Sequence, residues 1–172
     1  RMIDNSSVLA VATDRQQNLW ISTLLKGLYV YHLDSQKAEL IPLEGLPAGE
    51  QKNAVTHIFC DRDGRLWLST GSIVMKCRYE GGRLAILSQT PVLGAMDFEQ
   101  TDDGTVWVST STNDIVGFRR EGVRREGEKE SEPIVKQAFN ADFCFIPSLL
   151  KLRDGQMLIS AFFQKITKMS PQ

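Results

Sequence analysis

The chain has 172 residues, of which 42% are hydrophobic and 24% are charged, proportions that are ordinary for a globular domain. Its 20 basic residues balance 21 acidic ones, so the formal net charge is -1 and no basic field is available to attract nucleic acid or an anionic membrane. No apolar run approaches the roughly 18 residues of a membrane span, and the first residues lack the order of a signal peptide. Because a repeat begins almost at once, we expect the chain to be part of a longer polypeptide whose export signal and membrane anchors lie elsewhere.

The cysteine and histidine content predicts neither a metal centre nor a disulfide framework. Cys60, Cys77 and Cys144 lie 17 and 67 residues apart, which fits neither the short paired spacings of a zinc site nor an even-numbered set of disulfides. His32 and His57 are the only histidines. We therefore expect core thiols, no metal and no cofactor.

Four repeats follow one another along the chain and predict antiparallel sheets of up to four strands. The first repeat, at about 6–43, has predicted strands at 8–13, 18–23, 27–33 and 38–43. The second, at about 53–88, has predicted strands at 55–60, 65–70, 73–79 and 83–87. The third, at about 94–139, has predicted strands at 95–100, 105–110, 114–119 and 133–139. The fourth, at about 145–172, has predicted strands at 147–152, 156–161 and 162–169.

The second strand of each repeat shows the similarity most clearly. Its third residue is Trp20, Trp67, Trp107 or Leu158, and successive members lie 47, 40 and 51 residues apart. A period of roughly 40–50 residues is typical of one β-propeller sheet, or blade. Helical solenoids share this period, but β-branched and aromatic residues and hairpin glycines fill it here. The sequence therefore predicts an all-β, partial propeller domain over residues 1–172, which we expect to be part of a larger ring.

A polar turn precedes each second strand. Asp-Gly stands in the second, third and fourth turns, where glycine accepts the positive φ that a tight hairpin requires. Gln17 takes that place in the first turn, so we expect this turn to be looser. The acidic residues Asp61, Asp63, Asp102 and Asp103 also raise the question of calcium, but the later ligands of an EF-hand loop are missing. Hairpin chemistry explains them better.

The three tryptophans are expected to lie buried between neighbouring blades. The strand positions are apolar on both faces, as stacked blades require, and an enclosed indole buries on the order of 200 Å². The alternative is a set of aromatic platforms for a ligand. Mid-strand side chains of a blade face its neighbours and not the open channel, which favours the first interpretation.

A serine recurs near the end of each second strand, at Ser22, Ser69, Ser109 and Ser160, and threonine follows it in the first three repeats. These serines could be interpreted as catalytic nucleophiles. However, no glycine elbow surrounds them and no histidine recurs in register with them. We expect the hydroxyl groups to satisfy backbone groups where strand passes into loop. The sequence therefore predicts no catalytic residue.

The segment 119–132 departs from the repeat because it holds five basic and five acidic residues and almost no apolar side chain. Such a composition cannot form core. We expect a flexible excursion on the outer rim of the third blade, with docking of a partner as the alternative.

The joined pattern resembles the two-component regulator propeller repeat. Residues 61–70 match it most fully, with Asp-Arg-Asp-Gly followed by Arg-Leu-Trp-Leu-Ser-Thr, and residues 20–31 supply the Gly-Leu-Tyr extension. Gln17, Leu158 and Ala161 depart from it. The resemblance implies typically seven-bladed propellers in the periplasmic sensor part of hybrid histidine kinases that respond to glycan breakdown products. It therefore implies a ligand-sensing segment in signal transduction, periplasmic and not itself an enzyme, with any kinase activity elsewhere in the parent.

Two other functions stay open. The streptogramin lyase group has a similar apolar-Trp strand after an Asp-Gly turn, and its members are enzymes that need a histidine and acidic residues at a metal centre. His57 lies inside a predicted strand and His32 near a strand end, which suits that chemistry poorly. The other alternative is a structural propeller whose rim binds proteins.

We expect any ligand to lie over the end formed by the loops that join second to third strands and one blade to the next. These loops hold Lys26, Gln51, Lys52, Asn53, Asn113, Asp114, Asn140 and Asp142. Their amide, ammonium and carboxylate groups can exchange hydrogen bonds with sugar hydroxyls, whereas the short hairpins at the opposite end leave little freedom for a pocket. The expected partners are an oligosaccharide, the remainder of the parent sensor, and further copies that cover the open blade faces.

Overall fold

The computed structural model describes residues 6–46, 54–112, 114–120, 135–138, 146, 148–160 and 167–170. Over these residues the chain is all β, with fifteen strands in four antiparallel sheets and no helix. The chain divides into two compact units, Arg1–Pro91 and Val92–Gln172, and each contains two of the sheets. The all-β class predicted from the sequence is confirmed. The extents of the predicted blades and their joining in one domain stay predictions.

The first unit contains two four-stranded meanders. One consists of β1 (Val8–Thr13), β2 (Asn18–Thr23), β3 (Gly27–His32) and β4 (Lys37–Ile41), hydrogen-bonded in that order. The other consists of β5 (His57–Cys60), β6 (Leu66–Ser69), β7 (Ile73–Glu80) and β8 (Arg83–Pro91), again in chain order. The strand β8 is longer than predicted and continues to Pro91, because it pairs with the whole of β7 through a register shift at Lys76 and Cys77.

The second unit repeats the arrangement. Its first sheet consists of β9 (Ala95–Gln100), β10 (Val106–Thr110), β11 (Asp114–Phe118) and β12 (Val135–Ala138). Its second sheet consists of β13 (Ser148–Lys151), β14 (Met157–Ser160) and β15 (Thr167–Met169). Most of the charged segment 119–132 and the first part of the strand predicted at 162–169 lie outside the described residues, as does Cys144.

The turn between the first and second strands has one geometry in all four sheets. In the first turn the amide of Asp14 donates to the carbonyl of Asn18 at 3.1 Å, and the amide of Gln17 donates to the carbonyl of Asp14 at 3.1 Å. The second turn has the same pair of bonds at 2.9 and 3.0 Å. Gln17 adopts a φ of 66°, close to the 78° of Gly64 in the second turn. The expectation of a looser first turn is therefore wrong, because glutamine accepts the left-handed conformation that glycine adopts in the other repeats.

The core of the first unit lies between its two sheets. Trp20 is fully enclosed, and its cluster includes Leu66, Leu68 and Met75 from the second sheet. Leu66 and Leu68 flank Trp67 in the sequence, so they lie on the opposite face of their strand. The face of the first sheet that carries Trp20 therefore packs against the second sheet. The contacted face of the second sheet is the one opposite Trp67.

The second unit has the same relationship. Trp107 clusters with Ile146 and with Leu149, Met157 and Ile159 of the last sheet. The burial predicted for Trp20 and Trp107 between sheets is confirmed. Trp67 is also buried, with the ammonium of Lys76 5.8 Å from the centre of its ring.

Candidate functional site

In the first three repeats, the loop that joins the second to the third strand is organised by a threonine at the end of the second strand or directly after it. The Thr23 hydroxyl donates to the carbonyl of Gly27 at 3.0 Å and accepts a bond from the amide of Lys26 at 3.0 Å. The Thr110 hydroxyl donates to the carbonyl of Asp114 at 2.9 Å and accepts from its amide at 3.1 Å. Thr70 accepts from the amides of its own loop in the same way. The predicted role of these hydroxyls is confirmed for the threonines.

The serines beside them behave differently. The hydroxyls of Ser22 and Ser109 are fully buried and have no hydrogen-bond partner in the described structure. The hydroxyl of Ser69 lies 3.1 Å from that of Thr56 and 3.4 Å from Nδ1 of His57. The expectation that the serines satisfy backbone groups is therefore wrong for Ser22 and Ser109, because the neighbouring threonine already supplies that contact. A serine without exposed surface also offers no access to a substrate.

The residues predicted to bind a ligand are only in part within the described structure. Lys26 is exposed in the loop between β2 and β3 of the first unit. Asp114 begins β11 in the second unit and its side chain is largely buried. The other candidates lie outside the described residues, and they are Gln51, Lys52, Asn53, Asn113, Asn140 and Asp142. Their role as a site stays a prediction.

The hairpin end contains a repeated polar contact that the sequence analysis missed. The indole Nε1 of Trp20 donates to Asp14 Oδ2 at 2.9 Å, and that of Trp67 donates to Asp61 Oδ2 at 2.8 Å. In the third repeat Trp107 donates instead to the Thr101 hydroxyl at 3.1 Å. The acceptor always stands six residues before the tryptophan, which is the signal that could have revealed the contact.

The fourth repeat supports this interpretation by losing both partners together. Leu152 occupies the position of the acceptor, and Leu158 that of the tryptophan. The turn keeps its two backbone bonds, from Leu152 to Gln156 at 2.7 Å and from Gly155 to Leu152 at 3.1 Å. A polar acceptor at this position thus accompanies the indole, whereas the two backbone bonds of the turn form without one.

A cavity of about 410 Å³ opens at the hairpin end of the second unit. Its lining consists of Thr101, Asp102, Asp103, Asp154, Gly155, Gln156 and Ser170. The sequence analysis expected little freedom for a pocket among these short hairpins, and the opening lies at this end in the second unit. Two of its carboxylates already have protein partners, since Asp102 pairs with the ammonium of Lys151 and Asp103 accepts bonds from Thr101 and Thr105.

The hydrogen bonds to Asp103 determine its protonation. Burial alone raises the pKa of this carboxyl group, but bonds from the Thr101 hydroxyl and from the amide and hydroxyl of Thr105 outweigh burial, and the net pKa is lowered. The described residues contain no group of three or more histidine, cysteine, aspartate or glutamate side chains that could hold a metal ion.

Two further acidic residues connect the sheets of the second unit. Asp97 Oδ2 accepts from the amide of Leu149 at 2.8 Å and from the hydroxyl of Ser148 at 3.1 Å. Glu99 Oε2 accepts from the amide of Lys151 at 3.0 Å. Carboxylates on β9 thus bind backbone donors on β13. In the sequence, the acidic residues Asp97 and Glu99 stand at alternate positions of a predicted strand. This pattern could have indicated that the strand binds donors of another sheet.

The turn and the second strand of the second sheet lie in a stretch with a recognised sequence pattern. Residues 49–72 match the family model of the two-component regulator propeller. The match covers the residues 61–70 on which the resemblance depended, including the paired Asp61 and Trp67. No curated protein sequence matches the chain significantly.

Solved structures with the same fold are β-propellers, and the chain is an all-β propeller segment. It aligns with the extracellular domain of BT4673 from B. thetaiotaomicron with a TM-score of 0.73 and 14% identity, over 98% of this chain and 24% of that one. A second structure of that domain, described as part of a hybrid two-component system, gives 0.70 and 14% over 95% and 24%. The chain thus spans about a quarter of the length of these two solved domains.

An enzyme has the same fold. The chain aligns with virginiamycin B lyase from Staphylococcus aureus with a TM-score of 0.66 and 12% identity, over 96% of this chain and 56% of that one. At such identities the similarity establishes the fold alone.

Over the described residues, the segment has no helix with the length and apolar character needed to cross a membrane.

Proposed function

We propose that the chain is a ligand-sensing propeller segment of the periplasmic sensor region of a hybrid two-component histidine kinase. The observation that supports this most directly is the two-component regulator propeller repeat at 49–72. The structural similarity to extracellular domains of B. thetaiotaomicron proteins, including one of a hybrid two-component system, is in agreement with it. The kinase activity itself would belong to another part of the parent polypeptide.

The proposed ligand is an oligosaccharide released by glycan breakdown. The end formed by the loops between second and third strands is the preferred location, because these loops combine polar side chains with rigid anchors. Lys26 is exposed, and its backbone amide donates to the Thr23 hydroxyl, which anchors the loop from which its ammonium extends. Amide and ammonium groups of this kind can exchange several hydrogen bonds with sugar hydroxyls.

We also infer that the segment is not an enzyme. Ser22, Ser69 and Ser109, which recur at the ends of the second strands, have no exposed surface, and Ser69 lies beside the partly buried His57. In the lyase alternative, His57 would have to serve a metal centre, yet its Nδ1 lies within 3.1 Å of the Thr56 hydroxyl, which competes for that nitrogen. The segment is therefore proposed to respond to a sugar and not to transform it.

A thermal-shift screen of the full-length sensor with defined short oligosaccharides tests this function. A ligand that binds only the native state must raise the Tm, and saturation at about 100 times Kd contributes about 2.7 kcal/mol. Monosaccharides of the same composition are the control. If no fragment raises the Tm, the glycan-sensing proposal fails, and release of a modified sugar in a chelator-sensitive assay would favour the lyase.

The position of the ligand has its own test. Substituting Asn53, Asn113 and Asn140 together by alanine is expected to weaken binding of any fragment that the screen identifies. Asp154→Asn, at the hairpin end, is the matched control and should leave the affinity unchanged. If Asp154→Asn weakens binding and the triple asparagine variant does not, the ligand lies at the cavity between the hairpins of the second unit.

A further inference from the structure

Another cavity, of about 400 Å³, lies within the first unit, between the segment that follows β4 and the turn that joins β7 to β8. Its lining consists of Pro42, Glu44, Gly82, Arg83 and Leu84, and we call it the β8 cavity. None of these residues is among the candidate ligand residues of the sequence analysis. Small-molecule sites in proteins have volumes of roughly 300–1,000 Å³, so the β8 cavity is large enough for a small ligand.

Both sides of the β8 cavity are held in place by the fold. On one side, Leu43 is buried in the core cluster of the first unit, and the carbonyl of Gly45 accepts a bond from Nε2 of Gln89 at 2.7 Å. On the other side, Gly81 and Gly82 adopt φ values of 58° and 77°, as a tight two-residue hairpin turn requires. The cavity is therefore formed before a ligand arrives, which lowers the entropy cost of binding.

Part of the lining is apolar and is tied to the core. Leu84 is partly buried and packs against the cluster that contains Trp20. It pairs across the hairpin with Tyr79, whose ring meets that of Trp20 edge to face, with 4.9 Å between the ring centres. Pro42 supplies a second apolar surface. The cavity thus offers contact to the C–H surface of a ligand from a fixed position.

The lining also contains one cation and one anion without protein partners. In the part of the chain that the structure describes, neither the guanidinium of Arg83 nor the carboxylate of Glu44 takes part in an ion pair or a hydrogen bond. Glu80 is opposite Arg83 in the strand register, but its carboxylate lies 3.5 Å from Nε of Arg78 instead. The two charged groups of the cavity are therefore available to a ligand.

We propose that the β8 cavity binds a small carboxylate ligand that also carries hydroxyl or ammonium donors. The planar guanidinium of Arg83 presents parallel N–H donors that match the two oxygens of a carboxylate. The ionised carboxylate of Glu44 only accepts hydrogen bonds, so it selects a donor group on the same ligand. Pro42 and Leu84 contact the C–H surface of that ligand.

A sugar acid and an amino acid both carry this combination of groups. A phosphate ester fits less well, because Glu44 repels its second negative charge. A metal ion also fits less well, because the lining supplies a single carboxylate. The proposal does not rest on the proposed function, since the β8 cavity shares no residue with the loops assigned to the oligosaccharide.

Titration of the isotope-labelled 172-residue chain with D-glucuronate and with L-leucine, followed by NMR, tests the proposal. At least one of the two acids is expected to shift the amide signals of Gly82 and Leu84 in a saturable manner. D-glucose and L-leucinamide are the matched controls, since they keep the donors and lack the carboxylate, and they should leave these signals in place. The acid that binds identifies the ligand as a sugar acid or an amino acid. If neither acid binds, or if the controls bind equally well, the proposal is wrong.

Two arginine variants separate recognition from a general effect of charge. Arg83→Gln should weaken binding of the acid about tenfold or more, because a charge-assisted pair of hydrogen bonds is lost. Arg78→Gln is the matched control, since Arg78 has the same charge but is paired with Glu80 and does not line the cavity. Both arginines are exposed, so both variants should keep the Tm of the unsubstituted chain. Equal losses of affinity in the two variants would overturn the proposal.

Glu44→Gln tests the donor side of the ligand. This variant keeps an acceptor oxygen and loses the negative charge, so it should weaken binding of L-leucine, which has an ammonium group, more than binding of D-glucuronate. An unchanged affinity for the acid that binds would show that the ligand does not reach Glu44, against the proposal. Failure of every oligosaccharide in the thermal-shift screen would overturn the proposed function and leave these outcomes unaffected.

Discussion

The indole Nε1 of Trp67 donates a hydrogen bond of 2.8 Å to Oδ2 of Asp61, six residues earlier in the chain. The other carboxylate oxygen of Asp61 accepts from the amides of Asp63 and Arg65 at 2.9 and 2.8 Å. One buried side chain thus closes the hairpin turn and satisfies the only polar group of the tryptophan that follows it. The same residue type therefore serves both local structure and packing between sheets.

Replacing Asp61 by alanine should destabilise the chain by about 2–3 kcal/mol, because it leaves a buried indole donor and two turn amides without their acceptor. Urea denaturation followed by circular dichroism measures the loss. Asp63→Ala, in the same turn but exposed, should cost much less. Similar losses for the two variants would show that the bond to Trp67 has no energetic importance.

The leucine pair of the fourth repeat leads to a prediction of coupling. Asp61→Leu and Trp67→Leu should each be destabilising, but the double variant should be more stable than the sum of the two losses predicts, by about 1 kcal/mol or more. The reason is that removing the indole also removes the donor that Asp61 satisfies. A double-mutant cycle in urea measures the coupling, and strict additivity would contradict it.

Gly117 should tolerate no side chain. It pairs with Trp107 across β10 and β11, and a Cβ at this position would lie 2.9 Å from the indole ring. Gly117→Ala is therefore expected to cost about 1–3 kcal/mol, as overpacking of a core does. Gly71→Ala is the matched control, because no atom lies within 4 Å of its Cβ position. Thermal denaturation of both variants provides the comparison, and equal Tm values would contradict the prediction.

Replacing Gln17 by glycine should stabilise the folded chain. Its φ of 66° places an L residue in the left-handed region, which costs roughly 1–2 kcal/mol, more than the roughly 0.5–1 kcal/mol of chain entropy that glycine loses. Gln17→Gly should therefore raise the Tm slightly. Gly64→Ala should lower it, since Gly64 has a φ of 78° in the equivalent turn. A fall in Tm for Gln17→Gly would mean that contacts of the glutamine side chain stabilise the fold by more than its positive φ destabilises it.

Cys77 should resist thiol reagents in the folded chain. Burial raises its pKa from 9.0 to about 12, so the reactive thiolate is scarce at neutral pH, and the side chain has no exposed surface. Because the folded pKa lies above the unfolded value, the stability linked to this thiol is complete below pH 9 and decreases as the pH rises from about 9 toward 12.

Reaction with a disulfide reagent at pH 8, in a Cys144→Ser background, measures this difference. Cys60 should react faster than Cys77, since Cys60 is only half-buried, although burial and the nearby Asp61 charge also raise its pKa. Urea should make both thiols equally reactive. Rapid reaction of Cys77 in the native state would show that the strand pair around it opens readily.

Local patterns in the sequence determined the four repeats, the strands and the positions of the buried tryptophans. Strand alternation and hairpin glycines depend on neighbours in the chain, so β1, β2 and β9 begin and end where the pattern predicts. The end of β8 differs from its predicted position because β8 pairs with the whole length of β7 through a register shift.

Tertiary structure alone decided which polar groups meet. Ser22 and Thr23 are both buried hydroxyls at the end of one strand, yet only Thr23 faces the loop carbonyl that it binds. Asp97 likewise acts through Leu149, which lies 52 residues away in the chain. Residue type and spacing define which groups need partners, but the direction of each side chain and the approach of a second sheet determine which partners are within hydrogen-bonding distance.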